Sequence, residues 1–339
     1  MKKLTLQMLA KMAGVGVATV DRVLNDRGGV SPETVRKVLH AAREAGLKRY
    51  LPEEHKQPWQ IEAFLSSNPS SFFQRLNNDL SAVANHLGYQ RLTLHRTFIP
   101  ESQPEILAQR IIASSEKRDG LIVFGHDYPM IHDALAHCHA NGIPVVTFVT
   151  DIPDAQRLCH VGINQYQAGR TAGLLMSKTI NTTGDVIMVS GRIDYRAHRQ
   201  RIEGFRDAMA AHAPQVKLRE ALAGQDQRDT IRSLLDSTLS LSNDVAGVYN
   251  TGVGNTEVRD ILQKHRRLGV CAFITHELYS ITKAMLQEDA VDFTLDQNAH
   301  QHARLSIELL LSHLETGYQP ALYEDGKVDL KIVTCENLG

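Results

Sequence analysis

The sequence predicts an α/β protein in two parts, a small all-α head followed by a two-lobed body built on parallel sheets. Three observations predict it. The first 50 residues read as three short amphipathic helices, and from Trp59 onward short apolar runs alternate with helical stretches. Charge is also divided: residues 1–60 carry 11 Lys and Arg against 6 Asp and Glu, whereas the rest carries 26 against 32. The overall net charge of −1 conceals a basic head on an acidic body.

In the head, Thr5 can cap a helix from about Leu6 to Met12 by accepting from an orphan N–H of its first turn. Leu6, Leu9 and Ala13 share its apolar face, and Gly14 ends it. A second helix from Val17 to Leu24 turns Val20, Val23 and Leu24 one way and leaves Val17, Ala18, Asp21 and Arg22 free to touch a partner. A third opens with Ser31 and Pro32, carries Val35, Val38, Leu39 and Ala42 at helical spacing, and stops at Gly46. Helices this short need one another to bury enough surface. The arrangement is the helix-turn-helix plan, whose second helix enters the major groove, and a basic head would release counterions from DNA. A plain three-helix cap has the same pattern.

The string LTLQMLAKMAGVGVATVDRVLNDRGGVSPETVRKVLHAARE is more specific than the plan. It resembles, nearly end to end, the DNA-binding head of the lactose-repressor (LacI/GalR) family of bacterial transcription factors, and the resemblance extends along the whole chain. It implies a homodimer with two heads on a pseudo-palindromic double-stranded operator and a sugar-sized effector pocket in the body. By the resemblance Gly16, Val17 and Ala18 open the recognition helix and Arg22 lies one turn on, where the family contacts base edges; Thr19 is placed as a phosphate ligand, and Thr5, Asn25 and Leu51 complete the DNA-binding set. Arg22 suits a bidentate contact to guanine, while Val17 and Ala18 offer apolar contact to a thymine methyl. Asp21 departs from the serine common in the family. A carboxylate near phosphates repels unless it accepts from a cytosine amino group or pairs with a neighbouring Arg, and an internal pair with Arg22 or Arg27 is the favoured reading.

Relatives place a hinge helix next, whose leucine wedges into the minor groove. Here the segment reads LKRYLPEEHKQPWQ: Pro52 and Pro58 break a helix, Glu53 and Glu54 oppose phosphate, and Leu51 is the single candidate wedge. The domain plan is therefore a head over 1–50, an extended linker over 51–58 and an effector domain over 59–339.

Within the body the runs IEAFLSS, QRLTLHRTF, GLIVFG, PVVTFVT, HVGIN, DVIMVSG, VAGVYNTG, VCAFITHE and DFTLDQ read as strands buried on both faces. About 280 residues exceed one comfortable α/β unit, so two lobes are expected. The resemblance implies a periplasmic-binding-protein type I body whose chain crosses between lobes near 162, 297 and 322. Lobe 1 would then comprise about 59–162 and 298–322, and lobe 2 about 163–297 and 323–339.

The segment VSGRIDYRAHRQRIEGF resembles the one in which sugar-binding proteins and repressors hold hydroxyls with an Arg in the first helical turn, here Arg199. Its guanidinium fork suits vicinal hydroxyls or a carboxylate. The plain alternative puts Arg199 on the surface of a basic helix with Arg196 and Arg201. The same resemblance implies that Asn250, His276, Glu277 and Gln297 close strands at the pocket, with Glu277 where relatives carry Asp. From the first lobe it brings Asn68, Phe72, Phe73, Thr150 and Asp151. Of Phe72 and Phe73, one is expected to stack on a sugar and one to be core. Convergent amides, carboxylates and an aromatic face suit a neutral sugar or polyol; Arg192, Arg196 and Arg199 keep a phosphorylated or acidic sugar as second choice.

Other signals fade. HCH at 137–139 and HQH at 300–302 lie in helical patterns where i and i+2 point apart, so no metal is expected. TGVGN near 251 is neither G-x-G-x-x-G nor a P-loop, and no G-x-S-x-G occurs, so neither a cofactor nor an enzyme is expected. The four cysteines are widely scattered, which suits free thiols in a reducing compartment, and no run reaches membrane-spanning length, so the expected location is cytoplasmic. The leading reading is an effector-controlled DNA-binding repressor. The alternatives are a solute receptor of a sugar transporter, which would have no use for residues 1–50, and a sugar-processing enzyme using Glu277 and Asp151 as an acid/base pair.

Overall fold

The computed structural model describes residues 5–338 except 26, 28, 46–57, 182, 183, 194 and 243. Leu51, Pro52, Glu53 and Glu54 of the hinge, with Gly46, Lys2 and Lys3, lie outside the described residues. The chain divides into two compact units, one running to Trp59 and including Tyr89–Arg91, the other formed by Gln60–Gly88 and Leu92–Gly339.

The head contains α1 (Leu6–Ala13), α2 (Val17–Leu24) and α3 (Pro32–Glu44). Thr5 accepts from the Met8 N–H, and Gly14 closes α1 in the left-handed region at φ 67°, a conformation that a side chain would strain. One apolar cluster joins the three helices, with Leu9 and Ala10 of α1, Val20, Val23 and Leu24 of α2, and Val38, Leu39 and Ala42 of α3. Leu6 departs from its expected place and is exposed. Replacing Thr5 by Ala should lower the head's stability by about 1 kcal/mol, because the Met8 N–H loses its side-chain acceptor and keeps only the Thr5 carbonyl. Thermal unfolding of the isolated residues 1–58 checks this; an unchanged midpoint would show that water serves the N–H equally well.

The body begins with β1 (Trp59–Ser66), α4 (Ser71–Leu87), β2 (Leu92–Ile99), α5 (Pro104–Ser115), β3 (Gly120–Val123), α6 (Pro129–Ala140), β4 (Val145–Phe148) and β5 (Cys159–Val161). It continues through α7 (Gln165–Thr179), β6 (Asp185–Ser190), α8 (Arg196–His212), β7 (Leu222–Ala223), α9 (Arg228–Ser240), β8 (Val245–Asn250) and α10 (Asn255–Lys264). Then follow β9 (Ala272–His276), α11 (Ser280–Gln287), β10 (Phe293–Asp296), α12 (Ala299–Thr316) and β11 (Lys331–Val333). The first sheet has the order β2-β1-β3-β4-β5 and the second β11-β10-β9-β8-β6-β7. From β7 to β10 the second sheet is parallel, and β11 adds an antiparallel edge.

Each sheet is doubly wound. Successive residues of β6 serve opposite faces: Val186 and Met188 pack in one cluster with Phe205 of α8, Ile187 and Val189 in another with Leu235 of α9. That double burial is why the strands read as continuous apolar runs. The chain leaves the first sheet after β5, returns as α12, which packs on α4 and β3–β5, and ends in β11 of the second sheet. β7 and β11 have no counterpart in the sequence reading, being too short for a periodic signal.

Helices α7 and α8 approach at backbone distance. A Cβ on Gly169 would overlap the Arg201 carbonyl, and one on Gly204 the Tyr166 carbonyl. This close approach seats the first turns of both helices beside the strand ends. In both sheets the strand order reverses beside the first strand, at β1/β3 and at β6/β8. Crevices at such reversals are where open α/β sheets bind ligands.

Candidate functional site

On the head, packing sorts α2 into two faces. Val20, Val23 and Leu24 are sealed, while Gly16, Val17, Ala18, Arg22 and Asn25 are all exposed and Thr19 is half-buried. Gly16 gives α2 no side-chain cap, so the first N–H groups of the helix stay available to an anion. Asp21 is neutralised internally: Arg27 donates to it at 2.9 Å and Asn25 at 2.8 Å. Of the two partners considered for Asp21, Arg27 is the one observed, and Asn25 is engaged in holding the carboxylate. Arg22 is left facing outward, with no ion-pair partner among the described residues.

In the body, a cleft of about 920 Å³ counting its open mouth lies at the carboxyl ends of the strands. Six of the expected residues line it: Asn68, Phe72, Phe73, Thr150, Glu277 and Gln297. Phe73 is the core member of its pair, packed edge-on against Phe124 at 4.8 Å, and Phe72 is half-buried. Both lobes contribute, and polar bonds tie them. Asn68 donates to Asp226 at 3.1 Å, and Arg75 donates to the Leu278 carbonyl at 2.7 Å.

At the floor lies Arg201, only 3% exposed. Its Nε donates to Gln165 at 2.7 Å, one Nη to the Thr251 carbonyl at 2.7 Å, and the other to Gln297 at 3.4 Å. Gln297 in turn donates to Glu277 at 2.6 Å. Burial, reinforced by the nearby charge of Asp296, pushes the Glu277 carboxyl up to about 8, against the pull of Arg201 and the Gln297 bond. Near neutrality Glu277 is therefore mainly a protonated acid, able to donate as well as accept. It sits at φ 71°, a left-handed conformation rare for a side chain of its size and concentrated at functional strand ends. The buried Tyr195 hydroxyl has no partner among the described residues and is a further candidate donor.

Four expected positions need correction. Arg199 is exposed and does not line the cleft. Two residues along a helix rotate the side chain by about 200°, so Arg199 and Arg201 lie on opposite faces of α8. The sequence did carry a signal for Arg201, since it falls on the stripe Ala197, Arg201, Phe205, Ala208 that packs inward. His276 alternates with Glu277 and points to the other side of the sheet, where its Nε2 meets the Tyr249 hydroxyl at 2.8 Å. Asn250 is fully buried beneath the cleft and braces the following loop, donating to Asn255 at 2.7 Å; Asn255 lines the cleft in its place. Asp151 opens on a different cleft and is held by Arg157 at 2.8 Å. Glu277 and Asp151 therefore do not form an acid/base pair in one site.

Lining residues that the sequence reading missed include Phe124, Tyr195, His198, Asp226, Arg228 and Tyr279. His198 stands on the same inward stripe as Arg201 and bonds the Thr251 hydroxyl at 2.9 Å. Arg228 opens α9, and the others sit in loops or just before a helix, where periodicity gives no signal.

Residues 61–319 match the periplasmic binding protein domain, and residues 5–52 match the lacI family of bacterial regulatory proteins. The chain belongs to the lacI family. This LacI-family protein is similar to the HTH-type transcriptional regulator DegA of Bacillus subtilis, 26% identical over 217 residues that span 61% of each chain. It is also similar to the HTH-type transcriptional repressor PurR of Vibrio parahaemolyticus, 25% identical over 72% of each. Among solved structures it is similar to GanP, a glucose-galactose binding protein from Geobacillus stearothermophilus, with a TM-score of 0.74 and 18% identity over 84% of this chain and 99% of that one. A periplasmic solute binding protein from Actinobacillus succinogenes with bound D-allose gives 0.75 and 15% over 83% and 99%. At such identities the likeness concerns the fold. No helix among the described residues of this LacI-family chain is long and apolar enough to cross a membrane.

Proposed function

We propose that the chain is a sequence-specific DNA-binding transcriptional repressor, acting in the cytoplasm as a homodimer on a pseudo-palindromic operator, with a sugar-like effector held in the cleft of the body. The observation that carries the reading is the segregation of α2, whose Val20, Val23 and Leu24 are sealed while Val17, Ala18, Arg22 and the uncapped N-terminus face outward. A folding role alone would not require a cation there. The family membership and the regulators DegA and PurR support the same reading.

For the effector, the cleft combines an aromatic wall of Phe72, Phe124, Tyr195 and Tyr279 with Arg201, Asn68, Asp226 and Glu277. Aromatic faces with convergent donors and acceptors suit a neutral monosaccharide or polyol. The glucose-galactose and D-allose proteins of the same fold support that class. An effector bridging the Asn68–Asp226 and Arg75–Leu278 ties would favour the closed arrangement, and only its differential affinity for the two states can shift operator binding.

The test is fluorescence anisotropy on an operator selected from random duplexes. Arg22→Ala should weaken binding by about 1–3 kcal/mol and relax discrimination at one base pair per half-site. Unchanged discrimination would remove Arg22 from the reading set, and no selectable operator would overturn the proposal.

A further inference from the structure

A second cleft opens at the crossovers between the lobes, with about 1220 Å³ of empty space counting its mouth. Its walls come from the end of β4, the segment leading from β5 into α7, the first turn of α8 and the segment before β11. Asp151 lines it, but its charge is already used: Arg157 donates to one oxygen at 2.8 Å, Tyr323 to the same oxygen at 2.9 Å, and Thr147 to the other at 3.2 Å. His160, beside it, is kept neutral near pH 7, its imidazole pushed down to about 4 chiefly by burial. The remaining carboxylate, Glu324, is exposed at the rim, where water screens it.

Two cations remain. Arg196, half-buried, and Lys327 both line this cleft, and neither side chain has a hydrogen-bond or ion-pair partner among the described residues. The N-terminal turn of α7, capped by Asn164, faces the same space with Gln167. A guanidinium fork, an ammonium and a helix N-terminus converge on a cavity that also offers the amides of Gln167 and Gln200. We infer that this crossover cleft is a second ligand site, distinct from the effector cleft, for a small phosphate monoester bearing hydroxyl groups.

The site is placed to matter. Val149 and Thr150 line both clefts, and Gln165 joins them, donating to the Val149 carbonyl at 3.2 Å while accepting from Arg201. Val149 holds φ 69°, a strained conformation for a β-branched residue, at the partition between the two sites.

Phosphorus NMR of inorganic phosphate with the full chain, at ionic strength matched with chloride, tests the inference. Saturable line broadening is expected, at least ten-fold weaker in Arg196→Gln and in Lys327→Gln. Arg228→Gln in the effector cleft and Arg22→Ala in the head should leave it unchanged. Thermal unfolding in chloride shows whether each variant is folded, and Lys327→Gln, at an exposed position, keeps the test decisive if Arg196→Gln is not. Absence of saturation below about 10 mM overturns the inference. So does binding lost in Arg228→Gln or Arg22→Ala but retained in Arg196→Gln and Lys327→Gln, which would put the anion in the effector cleft or on the head. None of these readouts depends on operator or effector, so a failure here is separable from a failure of the proposed function.

Discussion

Arg201→Ala is expected to abolish the effector response and to destabilise the body by about 3 kcal/mol or more, since each buried acceptor left without its donor costs about 1–3 kcal/mol. The guanidinium is held by Gln165, Gln297 and the Thr251 carbonyl, and its removal leaves three buried acceptors and the Glu277 carboxyl facing a void. Arg201→Lys should recover little, because one ammonium cannot reproduce a fork with donors in three directions. Arg199→Ala, on the exposed face of the same helix, should change stability by less than about 0.5 kcal/mol and spare the response. Urea denaturation gives the first quantity, and operator anisotropy titrated with the effector gives the second. The reverse pattern, a silent Arg201→Ala and a damaging Arg199→Ala, would mean that α8 presents its other face to the cleft.

The second large effect is a pH dependence centred on Glu277. Its carboxyl titrates at about 8 in the folded chain, against 4.5 for an ordinary glutamate. Between these values the unfolded chain has released the proton while the folded chain keeps it. The unfolded state binds fewer protons there, so stability falls as pH rises from about 4.5 to about 8 and changes no further above that. At about 1.4 kcal/mol per pKa unit the window is worth several kcal/mol. Glu277→Gln keeps the shape and cannot ionise, so its stability should lose this slope and exceed that of the parent at pH 8. Parallel slopes in parent and variant from pH 5 to 8 would show that Glu277 is ionised throughout, drawn down by Arg201.

Much of the fold was legible because local periodicity encodes it. The cap at Thr5, the stop at Gly14 and the inward set Val20, Val23 and Leu24 follow from helical spacing, and the apolar runs of β1, β3, β4, β6, β8 and β9 follow from burial on both faces. The cleft at the strand ends was legible only in part. Asn68, Phe72, Phe73, Thr150, Glu277 and Gln297 line one cleft, from loops after strands and from the first turn of α4, which the strand order brings to one crevice. Two of the misplaced residues fail by one or two positions. His276 is one step from Glu277 on a strand and Arg199 two steps from Arg201 on a helix, and each such step reverses the side chain's direction.

By itself the sequence determined the identity of the longer elements, most of the apolar face of each head helix and the basic character of the head, since these depend on neighbours within a few turns or a few strand residues. Only the tertiary structure decided that Arg201 rather than Arg199 sits beneath the cleft, that Asp151 is spent on Arg157 in a different cavity, and that Arg196 faces the crossovers. Those outcomes depend on which side of α8 meets α7 and on where β5 and the segment before β11 cross between sheets. The contacts responsible join residues far apart in the chain, so no local pattern records them.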